Sequence, residues 1–169
     1  MRILMKHKLI LISILLTSPF YTFAQSDSAH APYLMSPVIP DFSISTSPDG
    51  TLFTNHNLKK NTNTVFIMFN PDCEFCQHET RDLLRNINRF KHTQIIMASY
   101  MSQKSINEFY KKYNIANYPI IVLGRDAKFF FFKFFKLHIA PSTFIYDTKG
   151  HFKKAFHRIV DMDTLLKEL

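Results

Sequence analysis

Two cysteines, Cys73 and Cys76, are the only ones in a chain of 169 residues, and they lie in the stretch FIMFNPDCEFCQHET, residues 66–80. A Cys-x-x-Cys pair supports three kinds of chemistry: thiol–disulfide exchange, half of a metal site, or an inert covalent link. A disulfide stabilises mainly by closing a long loop, so one that closes a few residues has little to contribute as a staple. A zinc site needs about four ligands; His78 supplies a third candidate, and no second Cys-x-x-Cys or paired histidine motif supplies a fourth. Soft thiolates also suit Cu(I), which keeps a copper-binding reading open beside the redox one.

The elements around the pair decide what the spacing does. The run TNTVFIMFN is apolar, β-branched and aromatic, with the length of a strand buried on both faces. Asn70, Pro71 and Asp72 break it, and from Cys73 a helical period takes over. Phe75, Leu83, Leu84, Ile87 and Phe90 form the expected inner stripe of a helix reaching about residue 91, with Arg81, Arg85 and Arg89 opposite. Cys73 then stands at a helix N-terminus, where unpaired N–H groups and the dipole favour a thiolate. Cys76 follows one turn inside on the same side, placed to resolve a mixed disulfide formed by Cys73.

The other segments alternate. DFSIST and TLFTN read as a hairpin around SPDG, and QIIMASYM and YPIIVLG as buried strands. Between those two strands a helix opens near Ser102, with Ile106, Phe109, Tyr110 and Tyr113 inside. RDAKFFFFKFFKL has helical length. PSTFIYDTKG and HFKKAFHRI form an antiparallel pair, and DMDTLLKEL a last helix. With only three glycines, each is expected to mark a turn. The order predicts an α/β fold: a mostly parallel central sheet with helices on both faces, an N-terminal β-hairpin and an antiparallel C-terminal edge pair.

The first 24 residues have a basic start (Arg2, Lys6, Lys8), an apolar run from Leu9 to Leu16 and the closing Thr22-Phe23-Ala24. They read as a cleavable export signal, too short in its apolar run for a spanning helix of about 20 residues. Residues 25–39, rich in Ser, Ala and Pro, read as a flexible leader, and residues 40–169 as the folded domain. Loss of the signal lowers Lys+Arg from 21 to 18 against 13 acids, about +5 in all. The positive charge is scattered in ones and twos without a nucleic-acid motif, so no nucleic-acid partner is expected. Export implies a soluble protein in a periplasmic or other extracytoplasmic space where disulfides are permitted.

These segments in this order, with TVFIMFNPDCEFC followed by IAPSTFIYDTKG, resemble the thioredoxin superfamily. Within it, PDFSI, DGTLFT and the CxxC run are similar to the exported TlpA-like thiol–disulfide oxidoreductases, a branch related to the alkyl hydroperoxide reductase/thiol-specific antioxidant proteins. The likeness runs from about Pro40 to Leu169. It implies an enzyme that exchanges disulfides with protein substrates, without a cofactor, and is served by a membrane or periplasmic redox partner. Cys73 and Cys76 are the implied catalytic pair. Pro141 is implied to be a cis-proline facing them and holding substrate beside Ala140.

The chain departs from the family in several places. Asn70-Pro71-Asp72 replaces the usual context before the first cysteine, and Glu74 and Phe75 stand between the pair. Thioredoxins proper carry a buried acid in the preceding strand, whereas VFIMF is wholly apolar and leaves the proton-handling group unidentified. Glu74 places a negative charge beside Cys73 and His78 a positive one when protonated, so both are candidates for tuning the cysteine. The balance favours a reducing or isomerising enzyme over an oxidising one. Peroxiredoxins carry Thr or Ser three residues before their reactive cysteine; Asn70 occupies that position here, which disfavours peroxide reduction. The related copper chaperones of the Sco type use Cys-x3-Cys, absent here.

Two further features stand out. The six rings of Phe129–Phe132, Phe134 and Phe135 cannot share one helix face, so some are expected at the surface, as core overflow or as a weak membrane-surface or partner contact. The eight histidines lack metal-ligand spacing, and His138, three residues before Pro141, is a candidate to approach the expected centre.

Overall fold

The computed structural model describes residues 31–169; the expected export signal and the start of the leader lie outside the described residues. Seven strands form one sheet in the order β2-β1-β5-β4-β3-β6-β7. They are β1 (Ser43–Thr46), β2 (Leu52–Thr54), β3 (Asn63–Met68), β4 (Thr93–Ser99), β5 (Ile121–Arg125), β6 (Ser142–Tyr146) and β7 (Phe152–Phe156). The centre is parallel: β4 pairs with β3 and with β5 in register, Val65 opposite Ile95 and Ile95 opposite Ile121. β1 runs antiparallel to both β2 and β5, and β6 antiparallel to both β3 and β7. β2, β3, β4, β5 and β7 therefore run one way and only β1 and β6 the other.

Alternation along the buried central strands sends side chains to two cores. Val65, Ile67, Phe69, Ile95 and Met97 face α2 (Glu74–Arg85), α3 (Gln103–Lys112) and α5 (Met162–Leu166). Phe66, Met68, Ile96, Ala98, Phe144 and Tyr146 face α1 (Pro32–Met35) and α4 (Phe130–Phe134). Side-chain oxygens cap two of the helices: Ser105 N–H donates to Ser102 Oγ ahead of α3, and Thr164 N–H to Asp161 Oδ1 ahead of α5.

Several expectations need correction. The phenylalanine run is helical over five residues only. Phe129 (φ 54°) and Lys136 (φ 45°) take left-handed backbone on either side of it, and the Asp126 carboxylate accepts the N–H groups of Phe130 and Phe131. Phe131 and Phe135 are fully buried, stacked 5.7 Å apart, and Phe135 lies 3.8 Å from Phe144. Phe129 and Phe132 remain exposed.

Residues 31–39 were expected to be a flexible leader, yet Tyr33 is buried with its ring 5.0–5.7 Å from those of Phe135, Phe144 and Phe152. Ile39 N–H donates to Gly150 O, and Val38 bridges His151. An aromatic-lined hollow on the sheet takes up this segment, and local composition cannot reveal that.

Gly50 (φ 76°) and Gly150 (φ 81°) occupy turns, but Gly124 lies inside β5. A Cβ there would meet Ser45 O at 2.8 Å, so glycine lets β1 approach. The helix after the cysteines ends at Arg85, and Ile87–Arg89 form a separate 3-10 turn. Phe75, expected inside, is 66% exposed. The buried side of α2 is Cys76, Glu79, Thr80 and Leu83: seven residues is nearly two whole turns, so Cys76 aligns with Leu83 and Phe75 does not.

Candidate active site

β3 ends where Phe69 N–H donates to Ala98 O. Asn70 then turns the chain, its Oδ1 accepting the N–H of Asp72 and its carbonyl that of Cys73. Cys73 takes extended backbone (φ −81°, ψ 122°) as the N-cap of α2, without a side-chain cap bond. Both cysteines are free thiols, Cys73 half-buried and Cys76 1% exposed. The strand-to-helix junction thus presents one sulfur and hides the other.

The loop entering β6 comes back against this junction. Ala140–Pro141 is a cis peptide, and the Cys73 thiol donates to Ala140 O at 3.7 Å. Ala140 is half-buried, and the Ser142 hydroxyl behind it donates to Ile139 O. Cys76 is deeper, with Asn70 N–H directed at its Sγ at 3.4 Å. Burial pushes the Cys76 thiol well above the ordinary thiol range, and the nearby Cys73 and Glu79 add to the rise, while the Asn70 N–H opposes it.

Glu79 is the residue that the reading of the sequence missed. It is 2% exposed, and burial raises its carboxyl to about 7, with the negative charge of Asp82 adding to the rise. The Thr143 hydroxyl donates to Oε1 at 3.4 Å, which partly offsets that rise, and Oε2 has no hydrogen-bond partner among the described residues. Glu79, Cys76 and Pro141 line one closed apolar space with Ile67, Leu83 and Met97. β3 holds no acid; the buried one sits on the following helix. Its signal was the spacing of Cys76, Glu79 and Leu83, three and then four residues apart, which puts all three on one helix side.

The two residues named as possible tuners of the cysteine both have exposed side chains. His78 is exposed, and its Nδ1 sits 3.2 Å from Asp82. Glu74 is exposed in the first turn of α2. His138 lies at the surface beside the loop that carries Ala140. No group of three His, Cys, Asp or Glu side chains gathers as a metal site among the described residues.

A parallel-centred sheet with an N-terminal hairpin, a strand-to-helix cysteine pair and a cis-proline loop laid against it define a thioredoxin-fold thiol–disulfide oxidoreductase. The chain belongs to the AhpC/TSA family, whose sequence model matches residues 36–155. No curated protein sequence matches it.

Among solved structures it is similar to a secreted Mycobacterium tuberculosis disulfide oxidoreductase homologous to E. coli DsbE. The identity is 18% and the TM-score 0.63, covering 75% of this chain and 92% of the other. StoA from Bacillus subtilis gives 17% and 0.59, covering 78% and 97%. The bacterioferritin comigratory protein of Xanthomonas campestris, whose alkyl peroxide reduction has been studied, gives 21% and 0.63, covering 75% and 88%. Identities this low carry the fold alone.

Proposed function

We propose that this protein is an exported enzyme that reduces or isomerises disulfides in other proteins, with Cys73 as the attacking thiol and Cys76 as the resolving one. The observation that carries the reading is the placement of Cys73 Sγ at the half-buried carbonyl of Ala140, with Cys76 sealed behind it. A Cys73 thiolate attacks a substrate disulfide; a Cys73–substrate bond forms and the substrate's other sulfur leaves as a thiolate, which takes a proton. Cys76 then attacks Cys73 Sγ, giving the Cys73–Cys76 disulfide and releasing the second substrate thiol.

Cys76 has to lose its proton before it attacks, and burial holds that proton on. Glu79, buried in the same closed space and with a carboxyl near neutrality, is the group suited to accept it. Ala140 and Pro141 form the surface on which the substrate chain rests. A membrane or periplasmic thiol partner then returns the pair to the dithiol.

The reducing direction is supported by what surrounds the sulfurs. A strong oxidant is one whose reduced form is stabilised. Here Cys73 makes no side-chain cap bond to α2, and Cys76 is kept as a neutral thiol by burial. A peroxidase reading has less support, since Asn70 carries no hydroxyl and its Oδ1 is occupied by Asp72 N–H. Export is supported by the basic start, apolar run and Thr22-Phe23-Ala24 of the first 24 residues.

The test is turnover of insulin disulfides by the purified protein, with titration in redox buffers. The wild type is expected to turn over with a potential nearer about −270 mV than about −120 mV, and Cys73→Ser to abolish turnover. Tight Cu(I) binding without turnover would point to the metal-binding alternative instead.

A further inference from the structure

The pole of the sheet opposite the cysteines carries a second concave surface. The β2–β3 loop and the β6–β7 turn face each other there, across the first residues of β3 and β4, and enclose a hollow of about 420 Å³. Small-molecule sites run to roughly 300–1,000 Å³, so the space is of ligand size. Cys73 follows the far end of β3, a strand about 20 Å long at about 3.3 Å for each of its residues. The hollow therefore takes no part in disulfide exchange.

Lys59, Lys60 and Lys149 line it, all exposed, together with His56. The lysines are far apart in sequence, and the antiparallel pairing of β3 with β6, Thr64 opposite Tyr146, brings their two loops together. Among the described residues none of these three ammonium groups has an ion pair. The one acid of the lining, Asp147, is engaged within its own turn. Its Oδ1 accepts the N–H groups of Lys149 and His151 at 2.9 and 2.8 Å, and its Oδ2 lies 3.6 Å from His151 Nδ1.

Both walls are held in shape. Gln94, 5% exposed near the start of β4, accepts Lys59 N–H at 2.8 Å and donates to Lys59 O at 3.1 Å and to Thr64 Oγ1 at 2.9 Å. One buried side chain thus clamps the main chain on both sides of Lys59. Across the hollow, the Asp147 bonds and the Gly150 N–H to Asp147 O bond fix the turn that carries Lys149. Three positive charges against one engaged negative charge, on loops that are already set, form a cleft of one sign that concentrates anions.

The lining also selects the kind of anion. A lysine ammonium is a compact point charge suited to phosphate oxygens, and Asn61 and Thr148 add neutral donors beside it. Because each wall carries lysine, the hollow matches a ligand that presents negative charge in two directions.

We propose that this hollow binds an anion with two phosphate groups, one for each lysine-bearing wall. A soluble diphosphate and the headgroup of a diphosphate lipid share that chemistry. The lipid source would seat this pole on a membrane and leave Cys73 facing away from it.

The test measures binding by the purified protein at low salt, where surface charges are least screened. One arm titrates inorganic pyrophosphate by calorimetry; the other sediments the protein with phosphatidylcholine vesicles that contain or lack cardiolipin. Lys60→Glu and Lys149→Glu, made separately, are expected to weaken binding by about tenfold or more. Lys104→Glu on α3 makes the same charge change at an exposed position outside the hollow, and is expected to weaken it less than about twofold.

Pyrophosphate binding that falls in the two hollow variants supports a soluble ligand, and the same fall with cardiolipin vesicles alone supports the lipid. Absence of binding in both arms overturns the site. So does an equal loss in Lys104→Glu, which would mean attraction by net charge only, or binding that survives in both hollow variants. Cys73→Ser is expected to bind as the wild type does, so the site stands or falls separately from the redox reading.

Discussion

Glu79 lies three residues beyond Cys76 on α2, on the same buried side, and the two share a closed apolar space with Pro141. A carboxyl raised from 4.5 to about 7 is favoured in its protonated form by the folded state. The stability that this contributes is fully present below pH 4.5 and is lost as pH rises through about 7. Between pH 4.5 and 8 the wild type should therefore lose on the order of 3 kcal/mol more stability than Glu79→Gln, which does not ionise. Urea unfolding of both proteins across that range measures the difference; parallel curves would show that Glu79 titrates normally.

The same carboxylate should matter to one half of the exchange reaction. With Glu79→Gln the buried Cys76 thiol has no neighbouring base, so the release of substrate from the Cys73 mixed disulfide should slow by about a hundredfold. Formation of that mixed disulfide should change much less. Stopped-flow measurement of the two phases separates them, and equal slowing of both would place Glu79 in a structural role.

Within the aromatic segment, burial should set the cost of truncation. Phe135 is 1% exposed against Phe131 and Phe144, so Phe135→Ala should destabilise by about 3–5 kcal/mol. Phe129 is 45% exposed and Phe129→Ala should cost less than about 1 kcal/mol. Chemical denaturation reads both, and similar losses would mean that the exposed rings are packed more tightly than their exposure indicates.

Much of this fold was legible because its signals are local. The apolar run of β3, the break at Asn70-Pro71-Asp72 and the cysteine spacing together fix where the sulfurs stand. The alternation of strands and helices fixes the parallel centre of the sheet. What escaped depends on contacts between distant segments. Tyr33 needs the hollow between Phe135, Phe144 and Phe152 before it can pack. The short reach of α4 follows from the left-handed backbone at Phe129 and Lys136. Phe75 was placed inside by its hydrophobicity, although the phase of Cys76 and Leu83 turns it outward. Glu79 was passed over because an acid on an amphipathic helix ordinarily faces solvent, and only Thr143 and Pro141 arriving from β6 and its entering loop enclose it.

The central claim is the division of labour between the two sulfurs, Cys73 attacking and Cys76 resolving. The most direct measurement is trapping with a disulfide-containing protein substrate, comparing the reduced Cys76→Ser and Cys73→Ser variants by intact mass and peptide mapping. Cys76→Ser should accumulate a stable substrate adduct through Cys73, and Cys73→Ser should form little or none through the buried Cys76. Adducts forming at comparable rates through either cysteine would contradict the account.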